Sequence, residues 1–261
     1  MNWNTLIERY DSLDSTMLMA RKRINDRAPQ GVTVVAAEQT QGRGRHGRAW
    51  FAGKDIGLWM SSIVYPPQGR NAHELSLIAG IALRAAVIGK YNESPASSTH
   101  AEDVRLKWPN DLLVGEKKLA GILLYHEIIA DKRSAVIIGI GLNCRATTKT
   151  EVPHALQEIY IGVEDIITGT CTPDALLTPV VENLEKYYRH WCEEGLASVL
   201  PLWKKADALR GRKVRADAER GVVEGIADGI GEDGSLIIVT DTGRVAISSG
   251  EVEKVQTDLT T

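Results

Sequence analysis

The stretch Glu38-Gln-Thr-Gln-Gly-Arg-Gly-Arg-His-Gly-Arg-Ala-Trp50 constrains this chain more than any other. No acidic residue lies between Glu38 and Asp55, and Arg43, Arg45, Arg48 and Lys54 alternate with Gly42, Gly44, Gly47 and Gly53. Glycines let main-chain N–H groups approach a ligand at φ values other residues resist. Arginines add always-charged, bidentate donors suited to phosphate and carboxylate oxygens. The stretch therefore reads as an anion site. The alternative is an Arg/Gly tail that grips nucleic acid or a merely solvated basic surface. Against that, the run is short and passes at once into Trp50-Phe51 and an apolar, strand-like segment, so it is embedded in a fold.

The rest of the composition agrees with a folded, non-coating protein. At 261 residues the chain can build one large domain and a small one, and 43% hydrophobic with 25% charged residues is ordinary for a globular protein. A net charge of -3 gives no overall field for coating nucleic acid, so positive potential must be local. Cys144, Cys171 and Cys192 are odd in number, with no Cys-x-x-Cys pair, and read as free thiols in a reducing compartment. No signal peptide and no uncharged apolar run of about 18 residues is visible, so a cytoplasmic protein with no membrane partner is expected.

Taken in order, Leu6 to Tyr10 reads as a strand. Asp14 or Ser15 can cap a helix from Met17 to Ile24, with Ser15 and Thr16 placing two hydroxyls at its positive end. Gly31 to Ala37 is a buried strand that delivers the Arg/Gly loop, and Gly57 to Tyr65 is the alternating strand that returns from it. His73 to Lys90 has helical period, and 91–103 reads as a loop. Val104 to Val114 reads as a strand broken by Pro109 and resumed, a turn or kink within a sheet that presents Lys107, Asn110 and Asp111. The strands Glu116 to Glu127 and Ser134 to Cys144 carry Gly121, Gly139 and Gly141 where side chains are expected; any one of them fits tight packing against a helix as well as a ligand, but three in adjacent strands favour a flat, side-chain-free floor. Helices follow at Pro173–Glu194 and from about Ala197 to Leu209. After Leu209 come short strands with turn signals at Glu232-Asp-Gly234 and Asp241-Thr-Gly243, a small β-barrel module. The expected domains are thus 1–209 and 210–261. No Gly-x-x-x-x-Gly-Lys-Ser/Thr phosphate loop and no defensible Ser/His/Asp or Cys/His pairing is present.

Four motifs in this order, Gly42-Arg-Gly-Arg-His-Gly-Arg-Ala-Trp50, Lys107-Trp-Pro-Asn-Asp111, Lys118-Leu-Ala-Gly-Ile-Leu123 and Gly139-Ile-Gly-Leu-Asn143, resemble those of the biotin protein ligases. Asp14-Ser-Thr16 resembles the family's Asp-Ser-Thr start, and the likeness covers nearly the whole chain. It implies an α+β fold: a mixed β-sheet with flanking helices, of class II synthetase type, plus a small C-terminal SH3-like barrel. The implied reaction has two halves. Biotin attacks the α-phosphate of MgATP to give biotinyl-5′-AMP and pyrophosphate. A lysine of a biotin carboxyl carrier protein, from acetyl-CoA carboxylase or a similar biotin-dependent carboxylase, then takes the biotin.

Position by position, the resemblance assigns Ser15, Thr16, Gln39, Gly42, Arg43, Gly121 and Gly141 to the biotin pocket, with Lys118 at the biotin carboxylate. It assigns Arg45, Arg48, Trp50, Asn110 and Asn143 to the adenylate. Arg43, Lys118 and Asp111 are the catalytic candidates, Asp111 near the acyl phosphate or the incoming amine; ligands for Mg²⁺ stay unassigned. The glycine-rich loop is expected to be a lid that is displaced or disordered until ligand arrives. Met17 stands where the family usually has Asn, and His46 replaces a frequently basic residue. So few residues precede the first strand that a ligase without a DNA-binding domain is expected; whether it forms a homodimer is left open. The rival readings are a lipoate or octanoyl transferase of related fold, and a nucleic-acid-binding module.

Overall fold

The structure, a computed structural model, describes residues 3–96, 100–129, 133–146, 148, 152–218 and 221–255. Strand β1 (Ile7–Leu13) leads to helix α1 (Thr16–Asn25), then β2 (Thr33–Gln39), β3 (Gly57–Val64) and the long helix α2 (Leu75–Glu93). β4 (Val104–Lys107), β5 (Asp111–Val114), β6 (Lys117–Ile128) and β7 (Ser134–Asn143) follow, and then helices α3 (Pro173–Glu194) and α4 (Leu200–Ala206). Among the described residues the first seven strands form one mixed sheet, ordered β1-β2-β3-β7-β6-β5-β4, with β1 and β2 parallel and the other pairs antiparallel.

One face of this sheet is fully covered. Val136, Ile138, Ile140 and Leu142 of β7 alternate toward α2 and α3, where Ile78, Leu83, Leu177, Leu184 and Trp191 complete the main core. Thr172 caps α3, accepting from the Ala175 N–H, with Pro173 in the first turn, where a missing N–H is harmless. The segment Ala72–Glu93 is long and apolar enough to cross a membrane, but it carries Arg84 and Lys90 and most of its apolar residues are buried in this core.

The other face is only half covered. The odd-numbered residues of β7 run Ala135, Ile137, Gly139, Gly141, Asn143, and the first two pack under α1 with Ala20, Ile24, Val34 and Ile63. Beyond the N-terminus of α1 the side chains give way to glycine, and the uncovered stretch becomes a cleft.

Two expectations differ from the structure, and a third is resolved by it. β3 does not alternate: all eight of its residues are buried, because the sheet is covered on both sides there. Of the turn or kink expected at Pro109, the structure has the turn. β4 and β5 are an antiparallel hairpin pairing Val104 with Val114 and Lys107 with Asp111, and Trp108-Pro109-Asn110 is its turn. The segment 91–103 is helical to Glu93 and has a 3₁₀ turn at Ala101–Asp103; 97–99 lie outside the described residues.

The C-terminal module is β8 (Lys213–Ala218), β9 (Gly221–Ile230), β10 (Leu236–Thr240), β11 (Gly243–Ile247) and β12 (Glu251–Lys254), all antiparallel in the order β11-β10-β9-β8-β12. Its barrel is open among the described residues, since β11 and β12 are not paired with each other. Contacts join it to the larger sheet: Trp108 Nε1 donates to the Gly234 carbonyl at 3.0 Å, and Lys254 Nζ meets Glu116 at 2.6 Å.

Candidate active site

The Arg/Gly stretch leaves β2 and re-enters at β3 as a small hairpin of its own. Arg43 and Ala49 form an antiparallel bridge, Gly44 N–H donates to Arg48 O at 2.8 Å, and Trp50 N–H donates to Gly42 O at 2.9 Å. His46 and Gly47 both take positive φ, 54° and 74°, which makes the turn tight. For His46 that left-handed conformation costs roughly 1 kcal/mol. The hairpin is held by its own hydrogen bonds and by Arg45, whose guanidinium donates to Asn110 Oδ1 (3.2 Å) and Gly250 O (3.1 Å). Arg48 pairs with Glu251 of β12, and His46 Nε2 lies 3.6 Å from the same carboxylate.

Under the lid is a cleft of about 350 Å³, within the range of small-molecule sites. Trp50 covers its glycine floor. A Cβ at Gly141 would sit 2.5 Å from Trp50 Nε1, and one at Gly121 would sit 2.9 Å from the indole ring, so only glycine fits beneath it. Gly121 and Gly141 are paired across β6 and β7. The indole N–H is buried without a partner among the described residues, a spare donor over the floor.

At one end stand hydroxyls and an amide. Ser15 and Thr16 are buried. Neither Asp14 nor Ser15 caps α1: Asp14 accepts from Thr40 Oγ1 at 2.9 Å, and Ser15 makes no side-chain cap bond. The cap is Gln39 of β2, whose Oε1 accepts from Thr16 N–H at 2.8 Å and from Thr16 Oγ1 at 3.1 Å. With its proton given to Gln39, Thr16 Oγ1 accepts from Ser61 Oγ at 2.8 Å.

At the other end stand charges. Lys118 Nζ is 2.7 Å from Asp111 Oδ1, an ionic contact poorly aligned for a hydrogen bond, and 5.3 Å from the centre of the Trp50 ring. Lys107 faces Asp111 across the β4–β5 hairpin. Burial pulls the Lys107 ammonium below its ordinary range, opposed by the Asp111 carboxylate and reinforced by Lys118; burial likewise lowers Arg45. Asn110 and Asn143 serve as clamps: Asn110 Nδ2 donates to Ile122 O at 2.8 Å, and Asn143 Nδ2 to Lys118 O and Ile161 O at 3.1 Å each.

Of the residues singled out in the sequence, Ser15, Thr16, Gln39, Arg43, Arg45, Arg48, Trp50, Asn110, Asp111, Lys118, Gly121, Gly141 and Asn143 line this one cleft. Gly42 does not; it sits at the base of the lid, where a Cβ would meet Trp50 O at 2.5 Å. The sequence reading missed Leu156, Ile159, Tyr160 and Glu251. Tyr160 reaches the site by bridging to Lys118, and Glu251 arrives from the C-terminal module; neither carries a local pattern that marks it.

Residues 10–143 match the biotin/lipoate A/B protein ligase family, and residues 210–255 match the biotin protein ligase C terminal domain. The chain is 31% identical over 245 residues to the bifunctional ligase/repressor BirA of Bacillus subtilis, covering 94% of this chain and 72% of that protein. It is 27% identical over 249 residues to a biotin acetyl-CoA-carboxylase ligase of Paracoccus denitrificans, 95% and 98% of the two chains. A biotin protein ligase from Aquifex aeolicus in complex with biotin and ATP shares the fold at a TM-score of 0.80 and 24% identity, covering 97% of this chain and all of that one.

Proposed function

The chain belongs to the biotin/lipoate A/B protein ligase family, and on that premise we propose that the cleft beneath the arginine lid is where biotin meets ATP. It is an ATP-dependent biotin–protein ligase that forms biotinyl-5′-AMP and transfers biotin to a lysine of a biotin carboxyl carrier domain. The observation that carries the site assignment is the polarity of the cleft along β7. Gly139, Gly141 and Asn143 span roughly 13 Å at about 3.3 Å per residue, leading from the Thr16–Gln39 hydroxyl and amide groups to the Lys118–Asp111 pair. Biotin has the same polarity, with a ureido ring head, a short alkyl chain and a carboxylate.

In the first half-reaction a carboxylate oxygen attacks the α-phosphorus. The new P–O bond replaces the bond to the β-phosphate bridging oxygen, and pyrophosphate leaves with that electron pair. Two anions must be brought together, so positioning and charge neutralisation supply most of the help. Lys118 leaves its contact with Asp111 for the carboxylate oxygen, while Arg43, Arg45 and Lys107 face the phosphates. Trp50 and the lid keep water from the mixed anhydride. Mg²⁺, carried in as part of the MgATP substrate, would neutralise the phosphates, and Asp111 would be placed to offer it one oxygen. In the second half-reaction the neutral ε-amine of the acceptor lysine attacks the acyl carbon and AMP leaves, with Asp111 placed to accept the amine proton.

This reading places the protein in the cytoplasm and requires neither DNA nor a membrane; monomer and homodimer are both compatible with it. The test is release of pyrophosphate from ATP and Mg²⁺ that depends on biotin, with label passing to a carrier domain. Adenylation of lipoate in place of biotin contradicts it.

A further inference from the structure

The hydroxyl end of the cleft has an apolar wall that the family assignment leaves without a role. We propose that Met17 is a specificity-determining residue that gauges the size of the ring head. This rests on the ligase reading of the cleft. Met17 begins the part of α1 that packs on the sheet, and it joins the small core of Ala20, Ile24, Ile63 and Ile137 while also lining the cleft. It is therefore the end wall at the boundary between filled sheet and open floor. Its partner is Gly139. A Cβ there would meet Met17 Sδ at 3.0 Å, Met17 Cγ at 3.2 Å and Leu123 O at 3.2 Å. The backbone oxygen is fixed, so the thioether has to yield. The small core closes off one direction, which leaves the cleft.

The neighbours orient the head. Gly139 pairs with Ser61 on one side and Leu123 on the other. Ser61, Thr16 and Gln39 form a hydrogen-bonded edge on one side of Gly139, while Met17 lies over Gly139 itself and Leu123 flanks it on the other side, an apolar surface. A bicyclic head with a ureido edge and a thioether-containing ring edge matches that division, the sulfur-bearing ring lying against Met17. A polarizable, unbranched side chain suits contact with another sulfur-containing apolar surface.

The experiment compares biotin with desthiobiotin, which keeps the ureido ring but lacks the ring sulfur and so has a slimmer head. Dissociation constants come from calorimetry, and adenylation rates at saturating ligand from pyrophosphate release. Gly139→Ala should raise the biotin Kd about tenfold, a change of about 1.4 kcal/mol, and that of desthiobiotin less than about threefold, as overpacking on one edge requires. Met17→Phe, which narrows the wall with Gly139 intact, should give the same biotin-selective loss. Combining Gly139→Ala with Met17→Ala should return the biotin Kd to within about threefold of wild type. In each variant the adenylation rate at saturating biotin should change by a smaller factor than the biotin Kd, because the charged end is untouched. Equal losses for both ligands in Gly139→Ala and Met17→Phe, or no rescue in the double variant, overturns the assignment of Met17 alone. A wild-type protein that neither binds nor adenylates biotin overturns the ligase reading, and this assignment with it.

Discussion

At the Met17 end of the cleft each polar group is held by another: Gln39 fixes Thr16, Thr16 orders Ser61, and all three lie on or against the main sheet. At the Lys118 end the charged and polar groups come from separate places. Arg45 and Arg48 belong to the lid, Lys107 and Asp111 to a hairpin, Lys118 to β6 and Glu251 to the C-terminal module. A satisfied, buried network is rigid and selective, whereas charges on mobile or separate segments can change partners as a reaction proceeds. The difference teaches that one end recognises and the other reacts. Lys118 marks the contrast: its partner Asp111 can be exchanged for a substrate oxygen without leaving an orphaned hydrogen bond in the fold.

The sharpest way to break this division is Lys118→Ala. Adenylation should fall roughly a hundredfold or more, the scale for removing a charge that meets developing negative charge in the transition state, while the biotin Kd moves far less; single-turnover adenylate formation measures both. The next largest effect is expected in the middle of the cleft. Gly141→Ala places a methyl 2.5 Å from the Trp50 indole and must displace it. The lid should lose its seat, with an adenylation loss of about tenfold and a Trp50 fluorescence shift that no longer responds to ligand. An unchanged spectrum would mean that Trp50 does not rest on the glycine floor in solution.

Glu251→Gln should do less. The Arg48–Glu251 pair is solvent-exposed on the arginine side, and such pairs contribute about 0–1 kcal/mol. A change in ATP KM of about fivefold or less, vanishing at high salt, is expected; a large salt-independent loss would make Glu251 part of the chemistry. Gln39→Ala should have the smallest effect on turnover. It removes the acceptor that caps α1, costing about 1 kcal/mol of stability and lowering Tm by roughly 2–4 °C, while adenylation at saturating biotin holds within about threefold.

The two ends were unequally legible in the sequence. The glycine floor could be read because glycine inside a buried strand violates the usual preference, and the lid because arginine and glycine alternate without an acid. α3 could be read because Leu176, Leu177, Val180, Val181, Leu184 and Trp191 recur on the helical period over Pro173–Glu194. What was not legible is tertiary. Asp14 and Ser15 have the side chains of helix caps, but the cap is supplied by Gln39, 23 residues beyond Thr16 in the chain. Pro109 reads as a turn or a kink because a hairpin turn and a kinked strand have the same local signature; only the pairing of Lys107 with Asp111 separates them. Glu251 carries no sign that it meets Arg48, 203 residues away, because that contact exists only once the C-terminal module docks. The Arg45 contacts to Asn110 and Gly250 are likewise tertiary, and the Arg/Gly alternation carries no sign of them.

Rapid-quench measurement of biotinyl-5′-AMP formation in a single turnover, at saturating biotin and ATP, tests the division of labour most directly when Lys118→Ala and Gln39→Ala are run side by side. The account predicts that Lys118→Ala forms adenylate about a hundredfold more slowly, while Gln39→Ala reaches nearly the wild-type rate but needs more biotin to do so. Wild-type rates in Lys118→Ala, or an equal slowing of both variants at saturation, would contradict it.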